Sequence, residues 1–225
     1  MTDPADTRTG KPPFQTRLID RRPLSPGTAE IDLERPDDFS FVPGQRIRLQ
    51  HGDLARDYSL ANGPEAPVLT LCVRLVKGGA FSKLLDTAPI KTAVSFSGPH
   101  GYFVFHPSRR PAVWVATGTG IAPFCAMCRG GRRCAAAAHG VRNAAELYYG
   151  DLLRSAAGTY AGCLSAAKAA SGDLYHGRVT DYLQHRLTAG TYDFYLCGRR
   201  EMVRDAILII DDRFPGSRIY TEIFY

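Results

Sequence analysis

The sequence predicts two domains in succession: an antiparallel β-barrel over residues 14–107 and a parallel-sheet α/β domain over residues 108–225, behind a disordered tail of residues 1–13. Three observations carry this. Short β-like runs broken by Gly and Pro fill the chain before Pro107, the signature of a small barrel. After Pro111 apolar strand-like runs alternate with helical ones, which implies parallel strands with crossover helices. Between strand and helix at the head of that second half stands a glycine-rich turn, "VATGTGIAPF", residues 115–124.

The elements follow in order. The first thirteen residues, "MTDPADTRTGKPP", are polar and lack the apolar stretch of a secretory signal. The runs "RIRLQ" (46–50), "RDYSL" (56–60), "PVLTLCVRLV" (67–76) and "AVSFSG" (93–98) read as barrel strands. In the second half "AVWVA" (112–116) is a strand, "AAELYYGDLLRSAA" (144–157) a helix, "YDFYLCG" (192–198) a strand, "REMVRDAILIIDDR" (200–213) a helix and "RIYTEIFY" (218–225) the last strand. No stretch holds the roughly 18 apolar residues of a membrane helix.

Composition narrows the class. With 44% apolar and 22% charged residues the chain reads as globular. The net charge of +6 favours an acidic partner, while the absence of an aromatic-interleaved basic run argues against nucleic acid. Six cysteines without an export signal read as thiols of a cytoplasmic protein. "CAMCRGGRRC" (125–134) fits neither zinc nor iron–sulfur spacing, so Cys125 and Cys128 are expected on a helix as small apolar residues and no metal is expected.

A bare turn between a parallel strand and a helix lets backbone N–H groups approach a phosphate, and a dinucleotide pyrophosphate is the expected tenant. Thr117, Gly118, Thr119 and Gly120 form that turn, with Pro123 in the first helical turn, where its missing N–H does no harm. Such a turn also requires glycine on conformational grounds alone. "KGGAFS" (77–82) offers a second one: Gly78 and Gly79 for the turn, then Ala80, Phe81 and Ser82, with Ser82 read as the N-cap of a helix.

Taken together, "RDYSLAN", "LCVRLVKGGAFSKLL", "GPHGYF", "GTGIAPF", "HGVRNAAELYY", "YLCGRREMV" and the terminal "EIFY" occur in the order seen in the ferredoxin–NADP reductase family, which the chain resembles from about residue 14 to its end. The resemblance implies an FAD-binding barrel, a pyridine-nucleotide-binding α/β domain, and electron transfer from NAD(P)H through the flavin to a one-electron carrier. It also implies roles for single residues. Arg56 pairs with the flavin pyrophosphate, Tyr58 lies against the ring system and Ser59 hydrogen-bonds near its reactive nitrogen. The "KGGAFS" helix start holds the rest of the pyrophosphate, and Cys72 and Val73 line the flavin. Cys197 and Gly198 flank the nicotinamide, and Ser59, Cys197 and Glu222 form the catalytic cluster. In the family a Glu-x-Tyr terminus stacks a ring on the flavin. Here Phe224 falls at the ring position and Tyr225 one residue beyond, so which ring stacks stays open.

The nucleotide is expected to be NADH rather than NADPH. Where NADP-specific relatives carry an Arg after a Ser and a Lys before a Tyr, this chain has Ala166 after Ser165 and Asp173 before Tyr175. Arg142, Lys168 and Arg178 are nearby cations that would oppose this preference. No cysteine cluster for a fused iron–sulfur centre is seen, so the electron is expected to leave for a separate acidic carrier: a ferredoxin, a flavodoxin or an oxygenase component. Two alternatives stay open, a reductase of free flavin and a non-catalytic FAD-containing electron-transfer subunit.

Overall fold

A computed structural model describes residues 13–166 and 174–224. The expected tail lies, but for Pro13, outside the described residues, as do Lys168, Asp173 and Tyr225. Six strands, β1 (Phe14–Ser25), β2 (Thr28–Glu34), β3 (Arg46–His51), β4 (Leu54–Ser59), β5 (Val68–Arg74) and β6 (Ala93–His100), form one antiparallel sheet in the order β4-β3-β6-β1-β2-β5. A bridge from Leu60 to Leu71 joins its two ends and closes the barrel, which removes the exposed edges of an open sheet. β3 shows the expected alternation: Ile47 and Leu49 are fully buried, whereas Arg46 and Arg48 point outward. Leu18, Ile31, Leu33, Phe39 and Phe96 fill the barrel, and helix α1 (Ala80–Thr87) adds Phe81 and Leu85.

β2 is buried on both faces, Glu30 and Asp32 included, because the second domain covers its outer side. There the Tyr149 hydroxyl donates a short hydrogen bond to Glu30. The guanidinium of Arg22 compensates the two carboxylates, at 2.6 Å from Glu30 and 2.7 Å from Asp32.

The second sheet is parallel throughout. Its strands are β7 (Ala112–Thr117), β8 (Cys134–Val141), β9 (Ala157–Leu164), β10 (Leu174–His176), β11 (Asp193–Arg199) and β12 (Arg218–Phe224), in the order β10-β9-β8-β7-β11-β12. Helices α2 (Ala122–Arg129) and α3 (Gly150–Ala156) pack on the face turned to the barrel, around Trp114, Phe124 and Tyr195. Helices α4 (Val179–His185) and α5 (Arg200–Arg213) cover the other face, around Phe194, Leu196 and Val203. Cys125 and Cys128 lie on α2, as their apolar reading requires.

Two expectations are corrected. The helix expected over 144–157 is broken: a 3-10 turn at Ala144–Glu146 is followed by Tyr149 at φ +62°, and only Gly150–Ala156 is α-helical. Tyr149 leaves the helical region so that its hydroxyl reaches Glu30 across the domain boundary. Ser82 is not an N-cap. Gly79 precedes the first helical residue, and Ser82 sits inside the first turn, its hydroxyl bonded to the backbone of Val76 and Gly79.

Candidate functional site

The strand order reverses at β7, which lies between β8 and β11, and open α/β sheets take ligands outside the carboxyl ends of the strands at such a point. That edge holds Thr117, the 3-10 turn Gly118–Ile121, and the Cys197–Gly198 end of β11. The turn packs tightly against β11, for a Cβ on Gly120 would lie 2.4 Å from the carbonyl oxygen of Cys197. Thr117 Oγ1 accepts a hydrogen bond from the Arg199 amide at 3.1 Å. Pro123 takes an early position in α2, as expected.

One polar residue beneath this turn escaped sequence reasoning. His139, on β8, is 1% exposed and its Nε2 lies 3.2 Å from the Gly118 carbonyl oxygen. Burial lowers its pKa to about 4, so the ring is neutral and Nε2 carries the proton it donates. A histidine at the end of an alanine run offers no signal of this in one dimension.

On the barrel side, in β4, Arg56 is exposed, Tyr58 half-buried and Ser59 buried. α1 packs beside β4, with the Tyr58 and Phe81 rings 6.1 Å apart, so the two expected parts of one anion site are neighbours. Arg56 Nη1 donates to the adjacent Ala55 carbonyl at 2.7 Å, and the residue is exposed to solvent. The first turn of α1 has no side-chain cap and no acidic residue, so its amides and dipole favour an anion. Burial pushes the Tyr58 hydroxyl up to about 12, keeping the ring neutral. On β5, Cys72 faces the cluster with Ala61 and Cys125, and Val73 faces the barrel core.

The three candidates Ser59, Cys197 and Glu222 are drawn together by strand register. Cys197 and Glu222 are directly paired across β11 and β12, on the face turned to the barrel. Ser59 is paired with Arg46 across β4 and β3, and Arg46 Nη1 reaches Glu222 Oε1 at 3.1 Å. Burial holds the Cys197 thiol far above its ordinary pKa, with Glu222 adding to the effect, so it is a thiol and not a thiolate nucleophile. Burial also raises Glu222, and Arg46 opposes the rise. Phe224 shares the barrel-facing side with Glu222, packed against the core there.

At the far edge of the sheet Arg142, Ser165 and Ala166 converge. The Ala166 amide donates to the Arg142 carbonyl at 3.1 Å, and the Ser165 amide and hydroxyl both donate to Val141. The Arg142 side chain is exposed, and its amide donates to Glu146 Oε2 at 3.0 Å. Tyr175 packs edge-on against Tyr182 at 5.6 Å, and Arg178 sits exposed before α4.

Whether these residues fit a flavin is decided at Ser59. Its Oγ is buried and has no hydrogen-bond partner among the described residues, an arrangement that costs about 1–3 kcal/mol unless a ligand supplies the partner. On the neighbouring α1 lies an uncapped helix start, and Arg56 presents an exposed guanidinium, groups suited to a dinucleotide pyrophosphate. The residues fit FAD.

Residues 15–105 match the oxidoreductase FAD-binding domain family and residues 114–207 the oxidoreductase NAD-binding domain family. The chain is 39% identical over 158 residues to ferredoxin–NADP reductase B of Sorangium cellulosum, covering 64% of this chain and 65% of that one. It is 30% identical over 212 residues to the toluate 1,2-dioxygenase electron transfer component of Pseudomonas putida, covering 87% of this chain and 62% of the relative. It thus spans somewhat under two thirds of each. Its fold matches a ferredoxin NADP+ reductase of Neisseria gonorrhoeae with a TM-score of 0.81 at 21% identity, covering 95% of this chain and 99% of that one. It also matches the Amycolatopsis cytochrome P450 reductase GcoB with a TM-score of 0.81 at 27% identity, covering 95% and 70%. Among the described residues no helix is long and apolar enough to cross a membrane, and no cluster of side chains has the makings of a metal site. Because it carries an FAD-binding barrel followed by an NAD-binding α/β domain, the chain belongs to the ferredoxin–NAD(P) reductase family.

Proposed function

We propose that the protein is a cytoplasmic flavoenzyme that passes electrons from NADH through FAD to a separate acidic one-electron carrier, a ferredoxin, a flavodoxin or an oxygenase component. The observation that carries the reading is the chain of pairings from Ser59 to Arg46, from Arg46 to Glu222 and from Glu222 to Cys197, which crosses between the two cofactor-binding domains, whose boundary we place near residue 108. Bound FAD supplies the exchange between the paired electrons of a nicotinamide and the single electrons of a carrier.

The chain's own residues do the rest. Arg56 and the α1 start, residues Gly78 to Ser82, bind the pyrophosphate through charge and backbone amides. Tyr58 and Phe224 enclose the ring system, the backbone of Cys72 and Val73 lines it, and Ser59 Oγ, without a partner among the described residues, offers its hydroxyl to it. Thr117 to Gly120, with Pro123 behind them, and Gly198 admit the nucleotide backbone; Arg142, Ser165 and Tyr175 bound its adenosine end. Cys197 and Glu222 hold the nicotinamide close to the flavin and exclude water. The name of the Pseudomonas relative, an electron transfer component, supports a protein acceptor, and the net charge of +6 supports an acidic one.

Gel filtration followed by stopped-flow mixing with each nucleotide tests this. Non-covalent FAD should survive gel filtration and be reduced faster by NADH than by NADPH. Loss of flavin on the column would favour a reductase of free flavin, and retained FAD that neither nucleotide reduces would favour a non-catalytic subunit.

A further inference from the structure

We propose that Arg46 is a positioning residue of this site: it reaches from the barrel to the last strand of the α/β domain and fixes the Glu222 carboxyl group in place beside Cys197. The inference rests on the functional reading above and deepens it. Three observations on different elements carry it. Arg46 Nη1 lies 3.1 Å from Glu222 Oε1, between residues 176 positions apart. Arg46 stands directly opposite Ser59, so guanidinium and unpartnered hydroxyl share a face of the sheet. Gly101, at φ +92°, makes room for the guanidinium: a Cβ there would lie 2.7 Å from Arg46 Nη1.

The chemistry follows from what faces Glu222. Arg46 from β3 is the cation against it, Asp57 from β4 is a second carboxylate, and Cys197 from β11 is a neutral thiol. Burial and Asp57 favour the protonated form, and Arg46 favours the ionised one. Asp57 is shared, lying 3.5 Å from both Arg46 Nε and Arg48 Nη1, so the guanidinium of Arg46 is fixed from behind while it points at Glu222. Without Arg46 two effects are expected together: Glu222 takes up its proton at higher pH, and the last strand loses its ionic tie to the barrel, so the face that holds the nicotinamide is no longer fixed against the flavin.

The test uses the purified flavoprotein and two readouts. Infrared titration of the Glu222 carboxyl, assigned by the band lost in Glu222→Gln, should show the midpoint rising by about one unit or more in Arg46→Met and returning towards wild type in Arg46→Lys. Stopped-flow reduction should slow by about ten-fold or more in Arg46→Met, with FAD content unchanged. An unmoved midpoint in Arg46→Met overturns the proposal, as does a wild-type reduction rate in that variant. Should Arg46→Met not fold, Arg46→Gln carries the same two readouts with the same outcomes. If wild type is reduced by neither nucleotide while the midpoint still moves, the functional reading fails and the ion pair stands.

Discussion

The two glycine turns of this chain look alike in sequence and differ in the fold. At "KGGAFS" no atom of the described residues, chain neighbours aside, lies within 4 Å of where a Cβ on Gly78 would sit. At "GTGIAP" a Cβ on Gly120 would press on the carbonyl of Cys197, and His139 holds the carbonyl of Gly118 from below. The first glycine serves a backbone angle and the second a close approach. Gly78 is open whereas Gly120 is built into a packed core, so the same residue type predicts different consequences at the two positions.

Gly120→Ala should therefore have the largest effect. The obstacle at 2.4 Å is backbone at the centre of a parallel sheet, which has nowhere to retreat. Overpacking of this kind costs about 1–3 kcal/mol, and displacement of Cys197 should slow flavin reduction on the order of 100-fold. Thermal unfolding and stopped-flow reduction measure the two parts. A variant with wild-type stability and rate would show that the packed turn has slack.

Acid should separate the two turns next. His139 stays neutral in the fold down to about pH 4, whereas an exposed histidine takes up its proton near 6.5. Protonation thus favours the unfolded chain: the stabilisation is whole above about pH 6.5 and is lost as pH falls towards 4, about 2 kcal/mol of it by pH 5. Denaturant unfolding between pH 7 and 5 should show this loss, and His139→Phe should flatten it. A profile unchanged by His139→Phe would place the acid sensitivity elsewhere.

How much of this was legible depends on where the deciding contacts lie. The barrel runs, the alternation of the second half and the glycine turns are local patterns, and the structure has them. β8 is not, since "CAAAAHGV" reads as a helix by propensity and becomes a strand only because β7 and β9 close on both sides of it. The break at Tyr149 is set by Glu30, 119 residues away, and Ser82 is drawn into the helix by the backbone of Val76. Arg46 reads as the outward residue of a half-buried strand until Glu222 arrives from the other end of the chain. Ser59, Cys197 and Glu222 are candidates because a family pattern joins them; nothing in their local sequence does.

Smaller effects test which ligand each turn serves. Arg56→Ala, beside the open turn, removes one charge-assisted contact worth about 1.5–3 kcal/mol and should weaken FAD retention by about ten-fold or more without slowing reduction of flavin that stays bound. Ala166→Arg, just past the end of β9 in the sheet that carries the packed turn, should shift kcat/KM towards NADPH by about ten-fold, because it sets a guanidinium beside Ser165 with which a 2′-phosphate can pair. Equal ratios of the two nucleotides in wild type and variant would mean that Arg142, exposed beside Ala166, already takes that phosphate.

The smallest effect is expected at Gly78. Its φ of +80° costs an L-residue about 1–2 kcal/mol, and with no neighbouring protein atom for a methyl group to strike, Gly78→Ala should lose about 1 kcal/mol of stability through the backbone alone. The informative measurement is FAD affinity in the same variant. If glycine is there only for the angle, affinity falls no further than the lost stability of the turn explains. If the backbone of Gly78 must come close to the pyrophosphate, the methyl group strikes the ligand, and affinity falls by more than the protein's own destabilisation. The second outcome would make the open turn as tightly packed as the other once FAD is bound, with the cofactor in the place that Cys197 occupies at Gly120.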